Sequence, residues 1–210
     1  MFLFFFQPSA SNLETPEKKP GTGWLRRLGP TKFVSLEKQN GRVQLYLRHY
    51  KKSAGKLTLL GQREVILTQH QCRDLMSCLP KVKTAFLKSI GEADEAEPLF
   101  DEDGFMFDDE VVDEEGLTEH IGQNVLVRVQ PGKSFVDIRG FHVKRGLPEP
   151  VPGLKGITLF KEELLELVLR IEELYSVWGG LATLRPCLES HQNQEGFLQC
   201  GHCNPMQDNE

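Results

Sequence analysis

No run of eighteen consecutive apolar residues occurs in the 210-residue chain, which excludes an ordinary transmembrane helix. The opening Met1-Phe2-Leu3-Phe4-Phe5-Phe6 is apolar but short, has no basic start and is cut by Gln7-Pro8, so it reads as a poor secretory signal. Cysteine is sparse: five residues, an odd count, point to reduced thiols in the cytosol or nucleus and away from a disulfide framework. A phosphate-cradling Walker loop, a dinucleotide fingerprint between strand and helix, and a serine nucleophile elbow are all missing, so the chain is expected not to be an enzyme. The acids Asp101, Glu102, Asp103, Asp108 and Asp109 do not follow the spacing of a calcium loop.

Positive charge is absent from one long stretch. From Ser89 to Glu119 there are fourteen Asp and Glu and no Lys or Arg, whereas the rest of the chain has 25 basic against 16 acidic residues. An acidic segment thus interrupts a basic protein. Such asymmetry points to a polyanionic partner or, more plainly, to a solvated spacer. Phe100, Phe105, Met106 and Phe107 sit among the acids, a composition shared by disordered activation segments. Three roles follow for the segment: docking a protein partner, folding back on a basic groove in competition with nucleic acid, or acting as a tether.

The chain also says nearly the same thing twice. Asn40-Gly41-Arg42-Val43-Gln44-Leu45-Tyr46-Leu47-Arg48-His49-Tyr50 aligns with Pro131-Gly132-Lys133-Ser134-Phe135-Val136-Asp137-Ile138-Arg139-Gly140-Phe141 at an offset of 91. The offset becomes 92 for Gly61-Gln62-Arg63-Glu64-Val65-Ile66-Leu67 against Gly153-Leu154-Lys155-Gly156-Ile157-Thr158-Leu159. Each copy reads as strand, tight turn, long strand, loop, short strands and helix. Asn40-Gly41 is a strong signal for a two-residue hairpin, because a type I′ turn needs positive φ at both central positions. Pro131-Gly132 turns at the same place and prefers another turn type. Period-two alternation sets Val43, Leu45 and Leu47 on one face and Arg42, Gln44, Tyr46, Arg48 and Tyr50 on the other. In the second copy Val136 and Ile138 face inward, opposite Lys133, Phe135, Asp137, Arg139 and Phe141. Helical spacing predicts one helix over 69–90, kinked or divided at Pro80, and a second over 161–178, stopped by Gly179-Gly180. The second is apolar around much of its circumference, so a sheet alone cannot cover it and a second helix is expected against it.

The string Val136-Asp137-Ile138-Arg139-Gly140-Phe141, followed by Gly153-Leu154-Lys155-Gly156-Ile157-Thr158-Leu159 and a helix, resembles the conserved domain of the transcriptional coactivator family known as positive cofactor four. The first copy resembles it through Phe33-Val34-Ser35-Leu36, Asn40-Gly41-Arg42-Val43 and Leu47-Arg48-His49-Tyr50. The resemblance implies an α+β fold of two tandem ββββα units. Each unit is a curved four-stranded antiparallel sheet plus one helix, and the two pair within one chain or between chains. It divides the chain into a flexible segment 1–29, a first repeat 30–90, an acidic linker 91–122, a second repeat 123–180 and a polar tail 181–210. The linker could reach about 30 Å as a flexible coil, enough to cross a small domain.

The resemblance further implies a nuclear, non-enzymatic transcription coactivator that binds single-stranded or melted DNA in a basic concave groove, needs no cofactor, and contacts transcription proteins but no membrane. Binding a single strand without sequence preference takes cations along the backbone track and flat side chains for stacking. The expected contact residues are Arg42, Tyr46, Arg48, Tyr50, Lys51 and Arg63 in the first copy, and Lys133, Phe135, Arg139, Phe141, His142, Lys144 and Lys155 in the second. Arg48 and Arg139 match the family's DNA-contacting strand arginine. The sequence departs from the family at Gln39 and Gln130, where an aromatic is usual, at Lys51 and His142 in place of a tryptophan, and at Glu64 in place of a glycine. Weaker stacking would make binding more dependent on charge and salt. RNA is an alternative ligand. The alternative function is a protein-interaction scaffold that has kept the fold and lost useful nucleic-acid affinity. In the tail, the spacing Cys187-x3-His191-x8-Cys200-x2-Cys203 could close a tetrahedral zinc site.

Overall fold

The computed structural model describes residues 23–54, 56–92, 116–142, 144, 151–187 and 200. Strands β1 (Leu25–Arg27), β2 (Lys32–Gln39), β3 (Arg42–Ser53) and β4 (Lys56–Leu67) form one antiparallel sheet in sequential order, followed by helix α1 (Gln69–Ser89). Strands β5 (Leu117–His120), β6 (Val125–Val129), β7 (Val136–His142) and β8 (Val151–Leu159) form a second, followed by α2 (Lys161–Ile171) and the short α3 (Leu174–Val177). The fold is therefore two tandem ββββα units.

The hairpins form where the turn chemistry demands. Asn40 and Gly41 both take positive φ, 50° and 79°, as a two-residue turn between Gln39 and Arg42 requires. In the second unit Gly132 has φ 69°, and the Lys133 N–H donates to the Gln130 carbonyl across Pro131-Gly132. Proline then glycine at the two central positions is the signature of a type II turn. The pair Leu45↔Leu67 corresponds to Val136↔Leu159, and Arg48↔Glu64 to Arg139↔Gly156, so the two longest strands of each unit match at offsets of 91 and 92. The first hairpin differs in length. Leu36 pairs with Leu45 but Val129 pairs with Val136, so the second unit closes its loop with two residues fewer.

Four expectations need correction. The first unit does not begin at residue 30, because β1 lies in its sheet and Trp24 and Leu28 are buried. Likewise β5 belongs to the second sheet although it lies before residue 123. Helix α1 is not divided at Pro80. Proline removes one backbone hydrogen bond, yet the flanking Leu79 and Val82 are buried, and that packing holds the helix through. The second helix stops at Ile171 and resumes at Leu174. The interruption includes Glu173, whose carboxylate accepts hydrogen bonds from Trp24 Nε1 (3.2 Å) and Arg26 Nε (2.7 Å) of the first unit.

The helices tie the units together. A single buried core takes in both sheets and both long helices, from Val34, Leu47 and Phe86 to Val127, Ile138 and Leu167. Helix α1 contacts β5 and β6 of the second sheet as well as β3 and β4 of its own, and it packs against α2. The residue at the third position of each helix makes the join. Gln71 Nε2 donates to the Gly122 carbonyl (3.1 Å), just before β6. Glu163, its counterpart in α2, accepts from Lys32 Nζ (2.6 Å) at the start of β2. Glu163 also accepts the Phe160 N–H (2.9 Å), while Gln71 and Thr68 form a reciprocal capping box. Gly29 leaves room for this joint, because a Cβ there would lie 2.7 Å from Glu163 Oε1.

Candidate nucleic-acid interface

The face of the first sheet opposite the helices is built from period-two positions in register. Ser35, Tyr46 and Ile66 form one row across it, and Phe33, Arg48 and Glu64 form the next. This face is largely filled by its own side chains. Arg48 is only 6% exposed and Tyr46 only 2%. The Arg48 guanidinium donates from Nη1 to Glu37 and from Nε to Glu64 (3.1 Å), and lies 4.0 Å from the centre of the Tyr46 ring. Burial works against its charge, but the hydrogen bonds to Glu37 and Glu64 outweigh it and lift its pKa further. Burial, then Glu37, raises the Tyr46 phenol, whose hydroxyl donates to Gln39 Oε1 (2.7 Å). Phe33 and Tyr50 meet edge to face with centroids 5.4 Å apart. The expected strand arginine of the first unit is thus neutralised, and Tyr46 offers no open ring for a base.

The second unit reaches a similar end by another route. Arg139 binds Asp137 of its own strand through Nε (2.8 Å) and Nη2 (3.0 Å), and donates from Nη1 to the Gly153 carbonyl (3.0 Å). It lies over Gly156, where a Cβ would fall 2.7 Å from its Cζ. Gly156 thus makes room for the arginine that Glu64 pairs with in the first unit. Phe141 is buried under Arg128, 4.0 Å from ring centre to guanidinium carbon, and Phe135 packs edge to face on Phe160.

The remaining expected residues are exposed: Arg42, Lys51, Arg63, Lys133, His142, Lys144 and Lys155. They do not form one patch within a sheet. Arg42 begins β3 and Lys51 stands nine residues later, about 30 Å of extended strand away. Arg42 lines a cleft of about 560 Å³ with Gln44, Thr68, Gln69 and Trp178. The matching positions in the second unit, Phe135 and Phe160, are in contact. Arg63 and Lys155 stand differently. Strands β4 and β8 are edge strands of their sheets and lie against each other, so these exposed bases belong to the two strands that meet at the junction.

Among the described residues 22 are Lys or Arg and 11 are Asp or Glu, so the folded part is strongly basic and the acidic charge is concentrated elsewhere. The sequence reading missed the counter-ions Glu37 and Asp137. Their signal was present: Glu37 shares a face with Arg48 once Asn40-Gly41 fixes the register, and Asp137 stands two residues before Arg139. In the tail, Cys187 and Cys200 are brought together, while His191 and Cys203 lie outside the described residues. Comparison with protein-family models and with curated proteins finds no match.

Proposed function

We propose that the protein is a non-enzymatic, coactivator-like nuclear binder of single-stranded DNA, in which charge rather than stacking supplies the affinity. The observation that carries the reading is the placement of Arg63 and Lys155, exposed at equivalent positions on the two edge strands that meet. Lys51 in β3 and Lys144 after the end of β7 are further exposed bases. A flexible strand of phosphates is suited to separated cations, because each contact releases counterions independently of base identity. Single-stranded RNA carries the same phosphates and belongs in the same titration.

The test is a salt series with labelled oligonucleotides. The parent protein should bind single strands more tightly than duplex and weaken steeply as salt rises. Arg63→Ala with Lys155→Ala should reduce the slope of log affinity against log salt by about 1.4, at ~0.7 per phosphate contact on a single strand. Equal affinity for duplex, or none at low salt, would sink the reading. The enclosure of Arg48 and Tyr46 favours a second reading, a protein scaffold that uses the acidic segment to dock a partner. Absence of oligonucleotide binding together with an intact fold is its expected signature.

A further inference from the structure

One cleft of the first unit stands open where two aromatic rings meet in the second. Strand β3 pairs Leu45 with Leu67, and one step along the same ladder Gln44 comes opposite Thr68, the residue that caps α1. The equivalent residues, one step beyond Val136↔Leu159, are Phe135 and Phe160, whose ring centroids lie 6.3 Å apart. An amide and a hydroxyl side chain thus stand in the first unit where the second has two rings. Here the first unit has its cleft of about 560 Å³, within the size range of small-molecule sites.

The lining combines apolar wall with unused hydrogen-bonding groups. Val43, Val177 and Trp178 supply the wall, and among the described residues no Asp or Glu lines the cleft. Arg42 opens β3, and its exposed guanidinium makes no ion pair or hydrogen bond among the described residues. Gln44 Oε1 accepts a long hydrogen bond from the Tyr46 hydroxyl (3.3 Å), which leaves the Gln44 amide N–H groups unpaired among the described residues. Gln69 is the reverse: its Nε2 donates to the Gly179 carbonyl (3.0 Å), and its Oε1 is the unpaired atom. A cation, an amide donor and an amide acceptor therefore share one partly apolar cleft.

We infer that this cleft takes one nucleobase of a bound single strand, with Arg42 on the adjoining phosphate. The inference rests on the single-strand reading above and adds one base contact to an affinity supplied mostly by charge. A nucleobase is a flat ring with hydrogen-bonding groups on its edge, and single-strand binders read bases through both. Thymine or uracil presents a carbonyl acceptor beside an N–H donor, the complement of Gln44 Nε2 and Gln69 Oε1. An aromatic side chain of a protein partner would fill the space but cover both amides without pairing them, which is unfavourable. The absence of acids from the lining suits a phosphate. Arg63 lies five residues before Thr68, about 17 Å along extended chain, so a short run of one strand reaches both.

The experiment uses the full chain and two probes, a short oligothymidylate and an abasic strand with the same number of phosphates. Charge alone does not distinguish them, whereas the cleft should favour the base-bearing strand about fivefold or more, the lower end of what one stacked base contributes. Gln44→Phe with Thr68→Phe copies the rings of the second unit into the first. It should abolish the preference and leave the salt slope unchanged. Arg42→Ala should weaken both strands and reduce the slope by about 0.7. Because Thr68 caps α1, urea unfolding checks the filled variant, and Gln69→Ala, which leaves the cap in place, should also cut the preference. Equal affinity of the parent for the two strands would overturn the cleft and leave the charge-based reading standing. So would a preference kept by Gln69→Ala and by a folded filled variant. Binding of neither strand would overturn both. Equal affinity together with binding of a short acidic peptide containing Phe, lost in the filled variant, would assign the cleft to a protein partner instead.

Discussion

At the residue scale, Arg48 and Arg139 occupy equivalent positions but are held differently. Arg48 is enclosed with two carboxylates, and its removal leaves Glu37 and Glu64 facing each other with little water. Breaking a buried ion network from one side typically costs about 3 kcal/mol or more. Arg139 is partly exposed and its Asp137 pair is local, so its loss should cost about 1 kcal/mol or less. Urea unfolding of Arg48→Ala and Arg139→Ala should show this difference in midpoint. If Arg48→Ala kept full stability while losing oligonucleotide binding, Arg48 would be a contact residue after all. The alternation that placed Arg48 was legible in the sequence. Whether its face is open or filled was not, because that depends on how side chains from four strands interlock.

A second residue-scale consequence concerns pH. His49 stands opposite Lys32 on the core side of the sheet, with Glu163 and Arg63 also acting on it. Burial, then the Lys32 charge, lowers its pKa below the ordinary 6.5, although Glu163 opposes this. The unfolded chain therefore takes up a proton at His49 before the folded protein does. The stabilisation from a neutral His49 is fully present above pH 6.5 and is lost as pH falls through the lowered value. Unfolding measured at pH 7.5 and at pH 5.5 should show a smaller pH difference in His49→Asn than in the parent. An unchanged difference would remove His49 as its source.

At the element scale, the two joints between helix and opposite sheet use the same helical position with different chemistry. Gln71 makes a neutral hydrogen bond, whereas Glu163 makes an ion pair whose side chains are about nine-tenths buried or more. Glu163→Gln keeps the shape but leaves the Lys32 ammonium buried without its counter-charge, an expected loss of about 3 kcal/mol. Lys32→Met combined with Glu163→Gln should recover much of that loss in chemical denaturation. Additive losses in the double variant would show that the two side chains act separately. The long elements were legible: α1 has seven apolar positions at helical spacing, and β3 alternates cleanly on either side of Leu45. Strand β1 was not, because Leu25-Arg26-Arg27 is too short to display a period and gains its pairing only from β2. The packing of α1 on α2 was legible from the apolar circumference of the second helix, whereas the contacts of α1 with β5 and β6 of the other sheet were hidden, since that pattern does not say which strands lie across from it.

At the scale of the whole molecule, charge is divided between two parts of one chain. The described residues carry eleven more basic than acidic groups, and residues 93–115 carry twelve acidic groups and no basic one. The segment is joined at both ends to the folded part, after α1 and before β5, and a segment tethered in this way meets other parts of its own chain at a raised effective concentration. We propose that it competes with any polyanion that approaches Arg63 and Lys155. Replacing its twelve acids by Asn and Gln keeps the tether length and removes the competition. The variant should bind single-stranded oligonucleotide several-fold more tightly than the parent at low salt. The advantage should shrink as salt rises, because exposed charges beyond about 8 Å are screened at 0.15 M ionic strength. Affinities that coincide at low salt would make the segment electrostatically silent towards the interface. An advantage that persists undiminished at high salt would point to apolar contacts from Phe105 and Phe107 in place of charge.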